Sequence, residues 1–437
     1  MYQGAAVVAP TVVTAPTSAH GAPSPSASPL DRPSRSRPNP NCATTSAGLV
    51  VANICPAGPS LGATRSERVS PAQISARLTS LERGSADGAL IVALIPAHNE
   101  EAGIVATIKS LFDQTRRPDI VIVMADNCTD QTVALAGAAG AWVLETTDNL
   151  TKKAGALNQG LATVMPFFAD DDFVLCQDAD GQLAPDFIAE ALKTFESVDL
   201  LGGLSGAVVA RKSQNIIESS QAIEYARGMR LMSRNGGRVH VLSGAATIFP
   251  FYALKAVARS RGIDLPGQPG TVFMEDSLTE DYELTLAIKK LGFACLSTKR
   301  CKVVTDVMPT LGELRTQRLR WFRGAMESMW LYGWSRLTHK TWLGIGWTFF
   351  VSLLFPLSML VLVASWLIWG SFPDLRYMLL FPLFAAEGIV TARRIDRRAK
   401  MLAVLFLPLW IYDNFMFVIY WQALFQALHN KPRVWLT

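Results

Sequence analysis

The chain has 437 residues, is half hydrophobic and only 18% charged, and carries a formal net charge of +5. So small a cationic excess, with no long Lys/Arg run and no zinc-finger spacing, argues against nucleic acid as a partner. Its six cysteines contain no Cys-x-x-Cys pair, and they are too sparse for a disulfide framework.

Residues 1–85 are rich in Ala, Pro, Ser and Thr, as in "APSPSASPLDRPSRSRPNP". Such a stretch has too little apolar periodicity to bury a core, so it reads as a disordered tail. Its start, "MYQGAAVVAPTVVTAP", lacks a basic region and is interrupted by Pro10 and Pro16, which disfavours a secretory signal.

The pattern changes near Leu90. "ALIVALIP" is a short continuous apolar run, the mark of a buried strand, and Ile104, Ile108 and Leu111 follow at helical spacing. "DIVIVMAD" is a second strand, "TVALAGAAG" a helix, "AWVLET" a third strand, "KAGALNQGLATVM" a helix and "DFVLCQ" a fourth strand. This alternation predicts an α/β domain on a largely parallel sheet, spanning 86–335. Ligands of such sheets lie beyond the C-terminal strand ends. The polar clusters "AHNE", "DNCTD" and "DAD" fall there.

Residues 336–437 read as a membrane region with about three transmembrane segments, 343–369, 377–392 and 401–428. The first has no charge and exceeds the roughly 20 residues needed to span a bilayer. Glu387 interrupts the second, and Asp413 with Asn414 the third. The basic loop holding Arg393, Arg394, Arg397, Arg398 and Lys400 is expected on the cytoplasmic side. Counting back through two spans places the α/β domain in the cytoplasm, in an integral membrane protein of the cell membrane. Three spans would leave Lys431 and Arg433 outside, unless the last segment is broken or re-entrant near Asp413-Asn414.

Each polar cluster has two readings. Asp178-Ala179-Asp180 is a turn, or a pair of hard oxygen ligands for Mg²⁺ or Mn²⁺. "IPAHNE" and "MADNCTDQT" are helix caps, or the rim of a nucleotide pocket in which Asp126 meets a base or ribose edge. Lys153 is a surface lysine, or a phosphate contact placed at a helix start where a cation needs an anion beside it. Glu280 and Asp281 are ordinary first-turn acids of a helix, or a candidate proton acceptor for an attacking hydroxyl. Spacing alone does not separate them from Glu275-Asp276. Gln317, Arg320 and Trp321 share a helix face, either lying on a membrane or forming a sugar platform.

Taken in order, "PAHNE", "ADNCTD", "KAGALN", "DAD", "TED" and "QRLRW", followed by membrane segments, resemble the family 2 glycosyltransferases. The likeness is to membrane synthases with a Gln-x-x-Arg-Trp motif, those making chitin, hyaluronan, cellulose and poly-N-acetylglucosamine. It covers roughly residues 90 to 430. It implies a GT-A fold, a Rossmann-like nucleotide-diphospho-sugar transferase domain, with a C-terminal α-helical transmembrane region. It further implies inverting transfer from a UDP-sugar to a glycan acceptor, including processive polysaccharide synthesis. Single-sugar transfer to a lipid or protein is the alternative, and an inactive nucleotide-sugar-binding membrane protein a weaker one. By this resemblance Pro96, Ala97, Glu100, Asp126, Lys153 and Asp178 bind the donor, and Asp178 and Asp180 hold the metal. Asp281 is then the general base beside Glu280, while Gln317, Arg320 and Trp321 meet the diphosphate and acceptor. One departure is Ala125-Asp126, where the family often has a double Asp.

Overall fold

The structure, a computed structural model, describes residues 70–79, 88–370, 380–393, 395–405 and 407–429. Residues 1–69 and 80–85 of the expected tail lie outside these, as do Arg394, the start of the second expected membrane segment, Lys431 and Arg433.

Eight strands form one sheet: β1 Ile91–Ala97, β2 Ile120–Ala125, β3 Trp142–Glu145, β4 Phe173–Gln177, β5 Gln182–Leu183, β6 Leu201–Ala210, β7 Ala246–Pro250 and β8 Ala294–Thr305. Their spatial order is β3-β2-β1-β4-β7-β6-β8-β5. β1, β2, β3 and β4 are parallel, β7 runs antiparallel to both β4 and β6, and β6 and β8 are parallel. The four strands and three helices read from the sequence up to residue 177 are all present. The antiparallel β7, and the short β5 that pairs antiparallel with β8, are the departures from a purely parallel sheet.

The helices up to residue 332 are α1 Pro71–Thr79, α2 Ile104–Phe112, α3 Thr132–Ala138, α4 Lys152–Val164, α5 Phe187–Ser197, α6 Ile216–Arg234, α7 Phe251–Ser260, α8 Glu280–Lys290 and α9 Leu311–Tyr332. They cover both faces of the sheet. In β1, Val92 and Leu94 enter one core with α4, α7 and α8. Ile91, Ala93, Ile95 and Ala97 enter the opposite core with α2, α3 and α5. That is the two-residue alternation of a strand buried on both sides.

The described part of the expected tail includes a helix. Ile74 and Leu78 of α1, one helical turn apart, are buried in the same core as α4. Two apolar residues at that spacing suffice to dock a short helix, even within an Ala/Ser-rich context.

Strand order places the site. β1 is flanked by β2 on one side and β4 on the other. The chain winds outward through β2 and β3, then returns beside β1 as β4. The crevice between the C-terminal ends of β1 and β4 is therefore a topological switch point, the preferred ligand position in open α/β sheets.

The C-terminal helices are α10 His339–Trp369, α11 Leu380–Ala392, α12 Arg397–Leu405 and α13 Leu407–Leu428. Among the described residues no single helix is long and apolar enough to cross a membrane. One bent pair, α12 with α13 at 84°, meets length and composition together. The break in the third expected segment thus falls between Leu405 and Leu407, not at Asp413-Asn414. Arg397, Arg398 and Lys400, read as a loop, belong to α12, because Ala399, Leu402 and Ala403 pack on Ile223 of α6. The acids that interrupt the apolar segments have partners on α6. Arg227 reaches Glu387 at 3.4 Å and Asp413 at 3.5 Å, and Arg230 reaches Glu387 at 3.1 Å. α13 packs along α9 through Ile419, Tyr420 and Ala423 against Phe322, Ala325 and Met326.

Candidate active site

The loop after β4 is fixed from three sides. The Thr107 hydroxyl of α2 donates to Ala179 O at 2.6 Å, the Gln177 amide donates to Gly181 O at 2.8 Å, and Asp178 N–H donates to Ala245 O at 3.2 Å. Gly103 admits the loop to the start of α2, since a Cβ there would lie 3.3 Å from Ala179 O. Asp178 and Asp180 therefore stand at the C-terminal edge of the sheet with their backbone held. Thr305 Oγ1 donates to Asp180 Oδ2 at 3.2 Å.

Lys153, at the start of α4, faces these acids. Its ammonium lies 2.5 Å from Asp178 Oδ1 and 3.2 Å from Glu280 Oε1. Burial works against the charged ammonium, but Asp178, Glu280 and Asp281 outweigh it and raise its pKa. The anions that a cation at a helix start requires are thus supplied by α8 and the β4 loop. Burial also opposes ionisation of Glu280, yet Lys153 and Arg320 hold its pKa below the usual glutamate value. Its neighbour behaves oppositely. Burial and the Glu280 charge lift Asp281 to about 6 against the pull of Lys153. Adjacent carboxylates with divergent proton affinities are the arrangement that separates a permanent anion from a proton acceptor.

Asp281 is held by backbone. Gly244 N–H donates to its Oδ2 at 3.1 Å and Tyr282 N–H to its Oδ1 at 2.7 Å. Gly244 is needed for this approach, since a Cβ there would sit 2.5 Å from Lys153 Nζ. Pro96, Lys153, Ser243, Gly244, Glu280 and Asp281 line one cavity. The structure thereby separates the two acidic pairs that spacing could not. Glu280 and Asp281 meet the switch-point crevice, whereas Glu275 Oε1 accepts from Asn158 Nδ2 at 3.0 Å.

Glu100 joins the acidic side. Burial, Asp180 and Asp178 raise its carboxyl to about 7. Burial and Asp178 raise Asp180 to about 6. Among the described residues no group of three or more His, Cys, Asp or Glu side chains forms a ready metal cage. Asp178 and Asp180 nonetheless fit a hard divalent cation that takes one or two carboxylates and fills its shell with substrate phosphates and water. The mutual repulsion that lifts Asp180 is what such a cation would relieve.

Asp126 follows β2 directly. It is buried, and its Oδ1 accepts from Thr146 Oγ1 at 2.8 Å, Asn149 Nδ2 at 2.8 Å and Asn127 Nδ2 at 3.1 Å. That oxygen organises the rim rather than reaching outward. His98 Nδ1 lies 2.6 Å from Asp126 O. Asn99 and Asn127 adopt left-handed backbone, φ 55° and 49°, which asparagine tolerates better than most residues.

The Gln317 to Trp321 segment lies on α9. Arg320 Nη1 donates to Leu278 O at 3.2 Å, in the loop before α8, and Arg320 acts electrostatically on both Glu280 and Lys152. Gln317 accepts from Arg318, whose guanidinium lies 4.3 Å from the Trp321 ring centroid. Sequence reasoning passed over Arg318. It also missed Gly244, Asn158 and Asn149, polar or small residues whose partners are far away in the chain.

The mixed sheet, the acidic loop at its switch point and the buried carboxylate pair define a GT-A glycosyltransferase. Residues 88–324, over half the chain, match the profile of the family described as glycosyltransferase like family 2, and the protein belongs to that family. It is 25% identical over 260 residues to a poly-β-1,6-N-acetyl-D-glucosamine synthase of Staphylococcus epidermidis, covering 56% of this chain and 57% of the relative. The synthase of Staphylococcus aureus (strain COL) is 26% identical over 243 residues, covering 54% and 55%. The chain thus spans little more than half the length of these curated relatives. Among solved structures, the mannosyltransferase PcManGT from Pyrobaculum calidifontis, in complex with GDP-Man and Mn²⁺, matches with a TM-score of 0.52 and 16% identity, over 83% of this chain and 95% of that one.

Proposed function

We propose that residues 86–335 form an inverting glycosyltransferase domain that moves a sugar from a nucleotide-diphospho-sugar to a hydroxyl acceptor, and that residues 336–437 hold it at the membrane, with the domain on the cytoplasmic side. The observation that carries this reading is the convergence of Lys153, Asp178, Glu280 and Asp281 beside Gly244 at the switch point.

The donor lies across the ends of β1 and β4, bordered by Pro96, Ala97, Glu100 and the Asp126 rim. Asp178 and Asp180 would hold Mg²⁺ or Mn²⁺, which when bound offsets negative charge on the departing diphosphate. Lys153 stays protonated and faces the same charge. Asp281, ionised above about pH 6, takes the proton of the attacking hydroxyl. Glu280 keeps Lys153 oriented, and Arg320 adds positive charge beside the diphosphate. Gln317 and Trp321 receive the acceptor. Likeness to the poly-N-acetylglucosamine synthases favours a glycan product extended processively. Product length from a labelled donor separates this from single-sugar transfer. The test of the reading itself is metal-dependent release of free nucleotide from a panel of nucleotide sugars. No release from any donor would overturn it.

A further inference from the structure

Arg318 has no solvent-exposed side-chain surface. Its guanidinium donates to Gln317, stacks 4.3 Å over Trp321, and pairs with Glu224 Oε2 of α6 at 3.0 Å. The Tyr412 hydroxyl of α13 donates to the same Glu224 oxygen, and the Tyr225 ring stands 6.0 Å from the guanidinium. One buried cation therefore touches both Gln317 and Trp321, and is itself held by Glu224 of α6, which Tyr412 of α13 braces.

A buried ion pair is poor evidence for stability, because apolar residues of similar size often serve as well, so orientation is the better reason for this one. The planar fork matters. An arginine can donate in the plane of its guanidinium while stacking an aromatic ring on its face, and a lysine cannot do both.

We propose that Arg318, held by Glu224, which Tyr412 braces in turn, is a positioning residue that sets Gln317 and Trp321 for the acceptor, so that α6 and α13 fix acceptor geometry and do not merely anchor the domain. The proposal rests on the glycosyltransferase reading above. Donor binding is assigned to residues at the β1 and β4 ends, so the two halves of the reaction should separate on mutation.

The test uses the full chain with Arg318→Lys, Glu224→Gln and Tyr412→Phe. The Trp321 environment is followed by fluorine NMR on 5-fluorotryptophan-labelled protein, with Trp321→Phe to assign the signal. Calorimetry measures nucleoside-diphosphate affinity with Mn²⁺. Native membranes given a labelled nucleotide sugar report sugar incorporated per donor consumed. All three variants should move the Trp321 resonance and lower incorporation per donor by about 10- to 100-fold, the scale of a small misplacement of a reacting group. Nucleotide affinity should stay within about twofold, well under the tenfold change that 1.4 kcal/mol represents. An unmoved Trp321 resonance with wild-type incorporation overturns the inference, and so does an equal loss of nucleotide affinity. A wild type that neither binds nucleotide nor consumes donor is a different result, and overturns the glycosyltransferase reading together with this inference.

Discussion

At the scale of single residues the proposed chemistry rests on two neighbouring acids driven apart. Glu280 is kept ionised by Lys153 and Arg320, while burial and the Glu280 charge raise Asp281 to about 6. A base must be unprotonated to act. Turnover should therefore fall as pH drops through about 6, tracking protonation of Asp281. A kcat/KM profile measured across that region checks this, and a flat acid limb would remove Asp281 from the role. Asp281→Asn should lower turnover by about 10² to 10⁴-fold with donor affinity retained. The acids were legible in the sequence because they follow apolar runs or open helices. Their supports were not. Gly244 is one small residue after "HVLS", and only the fold shows that a side chain there would strike Lys153. The inward turn of Asp126 was equally hidden, since Thr146 and Asn149 reach it from a separate loop.

At the scale of elements the decisive piece is α8, which presents Glu280 and Asp281 from its first turn. It is strapped by a charge pair with no exposed surface on either side chain. Arg261 meets Glu283 through two bonds, of 2.6 and 2.7 Å, and also donates to Pro266 O and Val272 O. Tyr332 of α9 donates to the same Glu283 at 2.7 Å. Arg261→Met would leave Glu283 as an uncompensated buried charge. We expect a loss of about 3–5 kcal/mol in unfolding experiments, with much of it recovered when Glu283→Leu is added. Failure of the second change to recover stability would argue against the pair as the cause. Nothing in the sequence marks Arg261, which lies in a Gly- and Pro-rich stretch that reads as a plain loop. By contrast β1 to β4 were readable because continuous apolar runs between turn residues leave few other folds. α1 was lost in its composition, and only the burial of Ile74 and Leu78 reveals it. A deletion of residues 1–80 therefore removes more than a tail. Each of those side chains contributes about 1.5–3 kcal/mol of burial, so a truncation ending at residue 69 should unfold at a higher temperature than one ending at residue 80. Identical melting of the two would show that α1 is dispensable.

At the scale of the whole molecule the catalytic half and the C-terminal helices share charges. Glu387 and Asp413, read in sequence as acids that interrupt apolar segments, meet Arg227 and Arg230 of α6. Hydropathy found the apolar segments but could not find these partners, because α6 lies more than 150 residues before Glu387 in the chain. α10 exposes Leu353, Leu357, Leu360, Trp366 and Leu367, among others, a surface suited to lipid. Full-length protein should accordingly remain with membranes after alkaline carbonate washing and enter solution only with detergent. Release by carbonate alone would contradict the membrane reading. The measurement that bears most directly on the account is release of free nucleoside diphosphate from a panel of nucleotide sugars by purified protein, with Mn²⁺, with excess chelator, and in Asp281→Asn. The account predicts metal-dependent release from a restricted set of donors, abolished by chelation and about 10² to 10⁴-fold slower in Asp281→Asn. Undiminished release in chelator and in Asp281→Asn would contradict it.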